Sequence, residues 1–195
     1  MTDSSKPHVL VVEDNETVAE TYATFLGDTY GVTIAYDGDD ALEVYDESVD
    51  VVLLDRRMPR MSGDDVLQQL RARDADVRVV VVTAVTPELD IVDLPFDAYV
   101  VKPVERDELR AIVEVMLDRT DYEDDLQEFL ALASTRATLE LERNRAELDG
   151  STQYQYIKNR MASLREDLGV ETERLETLVS KQPPSVDTDD AVVEE

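Results

Sequence analysis

The sequence predicts an α/β fold, a doubly wound five-stranded parallel sheet, followed by an all-α helical hairpin or coiled coil. Three observations carry this prediction. Five short runs rich in β-branched residues recur up to residue 101: HVLVV (8–12), VTIAY (32–36), VVLL (51–54), RVVVV (78–82) and AYVV (98–101). They are continuous rather than alternating, the pattern of strands buried on both faces. Helically spaced segments separate the first four, and such alternation implies parallel strands with right-handed crossovers. Beyond Arg119 the strand signal stops and helical patterns replace it.

The elements follow in order. The stretch 15–27 opens on Asn15, a good N-cap residue, and ends at Gly27. Ala41, Leu42 and Tyr45 are helically spaced in 38–47, as are Val66, Leu67 and Leu70 in 63–72. The fourth connection, TPELDIVDLPFD (86–97), has room for one or two helical turns before Pro95 ends them. A helix then starts near Glu105 and carries Leu109, Ile112, Val113 and Met116.

Residues 121–148 favour a helix, with Thr120 and Glu123 spaced as a capping box. Leu126, Leu130, Ala133, Ala137, Leu141 and Leu148 form one stripe. Asp149-Gly150-Ser151 is a turn signal. Tyr154, Ile157, Met161, Leu164, Leu168, Leu175 and Leu178 then alternate three and four apart, with Glu171 as a polar interruption and Gly169 as a break beside it. That seam packs either within the chain against 121–148 or across a dimer. Residues 1–6 and the acidic tail 182–195 read as disordered.

Composition excludes several classes. The 195 residues contain no cysteine, which rules out disulfides. MTDSSKPH at the start is no signal peptide, and no apolar run reaches membrane-spanning length, so a cytoplasmic protein is expected. Forty-six acids against 19 bases give a net charge of −27. The excess is spread along the chain: residues 1–120 hold 27 acids and 11 bases, residues 121–195 hold 19 and 8. An acidic surface with four lysines is similar to that of halophilic proteins. It argues against nonspecific attraction to DNA or anionic lipid.

In a doubly wound sheet, sites form at the carboxyl ends of the strands. Glu13 and Asp14 follow the first run, Asp55 closes the third, Thr83 and Ala84 the fourth, and Lys102-Pro103 the fifth. Three gathered carboxylates repel one another and call for a hard cation such as Mg²⁺. An aspartate is a nucleophile towards phosphoryl groups. Lys102 can supply a fixed cation, Thr83 a hydrogen-bond donor, and Ala84 space.

The stretches VVEDN (11–15), LLDRRMPRMSG (53–63), VVTA (81–84) and AYVVKPV (98–104) together resemble the receiver domain of two-component response regulators, over residues 7–119. The resemblance implies a flavodoxin-like fold with Asp55 as phosphoacceptor and a sensor histidine kinase as donor. It implies Mg²⁺ held by Glu13, Asp14, Asp55 and the backbone carbonyl of Arg57. Thr83, Ala84 and Lys102 would surround the phosphoryl group. Thr83 and Tyr99 would form the switch, and Pro59, Gly63 and Pro103 would shape the loops, Pro103 after a cis bond. Such a chain phosphorylates and dephosphorylates itself and turns over no external substrate.

Two departures stand out. Arg56 and Arg57 occupy positions that are apolar in the family, and the Arg57 side chain is expected to pair with acids or to lean over the site. Phe96-Asp97 replaces the usual Gly-Ala before the fifth strand, after an unusually short connection. Residues 120–181 resemble the HalX domain, a helical module found after receivers in haloarchaea. Output through residues 121–180 by a homodimer or a protein partner is the leading expectation. DNA binding by the same region is the alternative, although no helix-turn-helix pattern or basic stripe is present.

Overall fold

The computed structural model describes residues 6–73, 77–87, 89–118 and 124–168. Five parallel strands form one sheet: β1 (His8–Val12), β2 (Gly31–Ala35), β3 (Val51–Leu54), β4 (Arg78–Thr83) and β5 (Ala98–Val101). Their order is β2-β1-β3-β4-β5, so the chain reverses direction across the sheet beside β1 and β3. The register pairs Val12 with Leu54 and Thr83 with Val101, which brings the strand ends level.

Helices α1 (Glu16–Leu26), α2 (Gly38–Val44), α3 (Gly63–Ala72) and α4 (Arg106–Asp118) link or follow the strands. Their termini are chemically specified. The Asn15 side chain accepts from the backbone N–H groups of Thr17 and Val18 at the start of α1. Ser62 and Asp65 form a reciprocal capping box on α3. Helix α2 stops at Val44, short of the expected residue 47. The fourth connection is one 3₁₀ segment, Leu89–Asp93, as the two prolines require.

Alternate strand residues supply two cores. Val9, Val11, Val51, Leu53, Val80, Val82 and Val100 pack with α1 and α4. Leu10, Val12, Val52, Leu54, Val79, Val81 and Tyr99 face the opposite side. This explains the unbroken apolar runs of β1, β3 and β4, which are buried on both faces, whereas the edge strand β2 is only half-buried.

The second face is completed by the appendage. Helices α5 (Asp124–Glu142), α6 (Arg145–Asp149) and α7 (Thr152–Leu168) follow the receiver portion. Helix α5 lies on β5 and the 3₁₀ segment, and α7 lies on α5 and the 3₁₀ segment. Phe129, Leu130, Ala133, Leu139, Ile157 and Leu164 are buried in the same cluster as Val79, Val81 and Tyr99. The short fourth connection leaves the sheet uncovered there, and the hairpin fills the gap.

Two expectations for this region need correction. The helix predicted over 121–148 breaks at Arg143-Asn144, where Asn144 caps α6 through the Glu147 N–H. Leu141, placed on the apolar stripe, is 57% exposed, whereas Phe129 and Leu139 are buried. The seam residues Tyr154, Ile157, Met161 and Leu164 are buried within the chain, so this stretch is not a free face for a coiled-coil dimer. The capping box at Thr120 and Glu123, the seam from Gly169 onward and both predicted disordered ends, save Lys6, lie outside the described residues. Lys6 donates to the Asp28 carbonyl at 3.2 Å.

Candidate functional site at the strand ends

The sheet brings the predicted residues to one edge. Asp55 follows β3 and is 6% exposed; its backbone N–H donates to the Val12 carbonyl. Glu13 follows β1, is 4% exposed and is fixed by donation to the Ala35 carbonyl. Lys102 follows β5, with its N–H donating to the Thr83 carbonyl at 2.8 Å. The Lys102 ammonium donates to Glu13 Oε2 at 2.5 Å and to Asp55 Oδ1 at 2.7 Å. The other carboxylate oxygen of Asp55, Oδ2, accepts the backbone N–H of Arg57 at 2.7 Å.

Burial governs the electrostatics. It pushes the Glu13 carboxyl above the ordinary range, against the opposing pull of Lys102. For Lys102, burial favours the neutral amine, but Asp55 and Glu13 outweigh it and the pKa is raised. Burial also drives the nearby Tyr22 phenol up to about 12.

Asp14 is exposed and stands at the mouth with Ala84. Among the described residues no three His, Cys, Asp or Glu side chains converge closely enough to hold a metal. Lys102 itself bridges the two buried carboxylates. The available donors, carboxylates and a backbone carbonyl, are nonetheless of the hard oxygen type that suits Mg²⁺.

Gly63 explains the loop after Asp55. A Cβ there would stand 2.2 Å from the Asp55 carbonyl oxygen, and the Gly63 N–H donates to the Arg56 carbonyl. Pro59 is exposed, and its carbonyl accepts the Met61 N–H within the loop. Lys102–Pro103 is a cis peptide. Arg56 forms a two-pronged pair with Asp64, with Nε at 3.0 Å and 3.2 Å from its oxygens. The Arg57 side chain is exposed.

Thr83 is buried, and its hydroxyl accepts the Val85 N–H at 3.4 Å. Tyr99 points inward: its hydroxyl donates to the Val85 carbonyl at 2.8 Å, and its ring lies 5.7 Å from Phe96. The Thr138 hydroxyl of α5 reaches the Tyr99 carbonyl at 3.5 Å. His8 is structural, with Nε2 2.9 Å from the Thr33 hydroxyl.

Sequence reading missed the cluster around Asp97. This buried carboxylate accepts the Val79 N–H at 2.8 Å and pairs with Arg71 at 3.0 Å and Arg78 at 3.5 Å. The available signal was the replacement of the usual Gly-Ala, but its partners are distant in sequence.

Among the described residues, no helix is long and apolar enough to cross a membrane. A family model for the response regulator receiver domain matches residues 9–114, and one for the HalX domain matches 118–181. A candidate transcriptional regulator of Haloferax volcanii is 50% identical over 133 residues, covering 68% of this chain and 23% of that protein. The sensory transduction protein RegX3 of Mycobacterium tuberculosis is 38% identical over 149 residues, covering 74% of this chain and 65% of its own. The chain thus spans less than two thirds of either relative. The receiver domain of the Francisella response regulator 1452 is 28% identical with a TM-score of 0.53, covering 59% of this chain and 99% of that one. TrrA of Thermotoga maritima, solved in complex with Mg²⁺-BeF, is 30% identical with a TM-score of 0.50, covering 57% of this chain and 99% of that one. The chain belongs to the response regulator receiver family, with a HalX domain following the receiver.

Proposed function

We propose that Asp55 accepts a phosphoryl group from a sensor histidine kinase and that the HalX hairpin reads the change. One observation carries this: the Asp55 carboxylate is buried at a strand end between the Lys102 ammonium and the Arg57 N–H. A carboxylate oxygen attacks phosphorus, an O–P bond forms, and the P–N bond to the donor imidazole breaks. Lys102 is positioned to move from pairing with carboxylates to pairing with phosphoryl oxygens. The Arg57 N–H adds a second donor, and Ala84 leaves space at the mouth.

Receiver domains use Mg²⁺ for phosphorylation. Here Glu13, Asp14, Asp55 and the Arg57 carbonyl would hold it, and the ion supplies charge neutralisation for the incoming phosphate. The Thr83 hydroxyl retains its proton for a phosphoryl oxygen. A shift of Thr83 and Val85 towards that oxygen loosens the Tyr99–Val85 hydrogen bond. Tyr99 lies beneath α5, so the movement reaches the hairpin through shared packing.

The test is intact-protein mass with a small phosphodonor, with and without Mg²⁺, in potassium-rich buffer. The expected result is a single Mg²⁺-dependent phosphoryl adduct in the parent and none in Asp55→Ala. An adduct that persists in folded Asp55→Ala overturns the assignment.

A further inference from the structure

A single peptide unit carries the backbone donor that holds Asp55. The Arg57 N–H reaches Asp55 Oδ2 at 2.7 Å, and the Arg56 carbonyl of the same planar unit accepts the Gly63 N–H at 2.9 Å. The carbonyl and N–H of a trans peptide point in opposite directions. Helix α3 therefore grips one side of the unit while the other side faces the carboxylate. The Arg56 side chain reaches the same end of α3. Its Nε donates to Asp64 Oδ1 at 3.0 Å and Oδ2 at 3.2 Å, and a terminal nitrogen donates to Oδ2 at 3.1 Å. The Arg56 side chain is 10% exposed and that of Asp64 31%, so the pair is partly shielded from the water and salt that weaken surface pairs. Arg60, farther along the loop, is tied separately to Asp37 at the start of α2.

We propose that Asp64 is a positioning residue for phosphoryl transfer: through the Arg56 fork it sets the orientation of the Arg56–Arg57 peptide, and so of the N–H that holds Asp55. The proposal rests on Asp55 as phosphoacceptor. A planar guanidinium paired at two points fixes direction as well as distance. When Asp64 loses its charge, the fork slackens and the peptide is held less firmly. The Asp55 carboxylate then turns more freely about its Cβ–Cγ bond. Fewer molecules present an oxygen aligned with the incoming phosphorus, and the rate falls. Asp64 thus acts through Arg56, without contact with the phosphoryl group.

The test makes two measurements on the full chain. The first is hydrogen exchange of the Arg57 amide, read by NMR in Mg²⁺-free potassium buffer. The second is the rate of phosphoryl adduct formation with acetyl phosphate and Mg²⁺, read by intact mass. In Asp64→Asn the Arg57 amide is expected to exchange about tenfold faster, with the circular dichroism of the parent. Its adduct is expected to form about tenfold more slowly. Asp64→Glu, which keeps the charge, should recover most of both readings. Arg56→Lys, which keeps the cation and loses the fork, should behave like Asp64→Asn and serves in its place if that variant misfolds. Asp65→Asn disturbs the cap of α3 without touching the pair and should leave both readings near the parent. An unchanged Arg57 amide in folded Asp64→Asn overturns the proposal, as does an unchanged rate. Equal effects in Asp65→Asn would reduce Asp64 to a helix-end residue and also overturn it. A parent that forms no adduct would instead fail the Asp55 assignment, and this proposal with it.

Discussion

Lys102 and Tyr22 set how the fold responds to alkali. The Lys102 pKa is raised above 10.5 by its two carboxylates despite burial. A raised folded pKa stabilises the protein below the unfolded value, and the contribution is lost as pH climbs through the folded one. Tyr22 weakens the fold over the same range: its phenol ionises near 10 when unfolded and at about 12 when folded. Between those values folding weakens by up to about 2 kcal/mol. Urea midpoints should fall above pH 10 and fall less steeply in Tyr22→Phe. An equally steep fall in that variant would show that the phenol is not responsible. Asp97→Ala takes one carboxylate partner from the buried Arg78 guanidinium and one from Arg71. A loss of about 3–5 kcal/mol by urea unfolding is expected.

At the scale of elements, the junction between α5, α7 and β5 is the feature that distinguishes this molecule. Helix α5 presents Phe129, Leu130, Ala133 and Leu139 to the sheet, and α7 presents Ile157 and Leu164 to the same cluster. Arg160 and Glu128 join the helices on the outside, with Nε to Oε1 at 2.7 Å. Ile157→Ala should cost about 2–5 kcal/mol, because a fully buried side chain leaves a cavity shared with the receiver. Leu141→Ala, on an exposed position, should stay within about 0.5 kcal/mol. Thermal midpoints of the two variants check both. A harmless Ile157→Ala would mean that the hairpin packs less firmly than its burial implies.

For the whole molecule, the shared core implies a single cooperative unit. Receiver and hairpin bury one another's apolar residues, so neither keeps its packing when the other unfolds. Scanning calorimetry should give one transition, and two separated transitions would contradict the coupling. A net charge of −27 repels itself, and added salt screens that repulsion. The transition should therefore rise in temperature between low and molar potassium chloride. A salt-independent midpoint would show that the surface charge has little hold on stability.

The receiver half was legible in the amino-acid order. Its strands are buried on both faces, which yields unbroken apolar runs, and Glu13, Asp55, Thr83 and Lys102 stand where those runs end. The resemblance alone pointed to Gly63 as a loop-shaping residue, and the close approach of the Asp55 carbonyl to it emerged with the fold. The position of the hairpin was not. Helical periodicity reports which residues share a face and is silent on what that face meets. The same seam could serve a dimer or, as found, pack within the chain on α5 and the 3₁₀ segment. Phe129 and Leu139 rather than Leu141 turn inward because the sheet chooses the contact face. The pairings Arg71–Asp97, Arg143–Pro87 and Arg160–Glu128 join residues far apart along the chain. Only folding brings such groups within reach, so the Asp97 cluster was decided by tertiary structure.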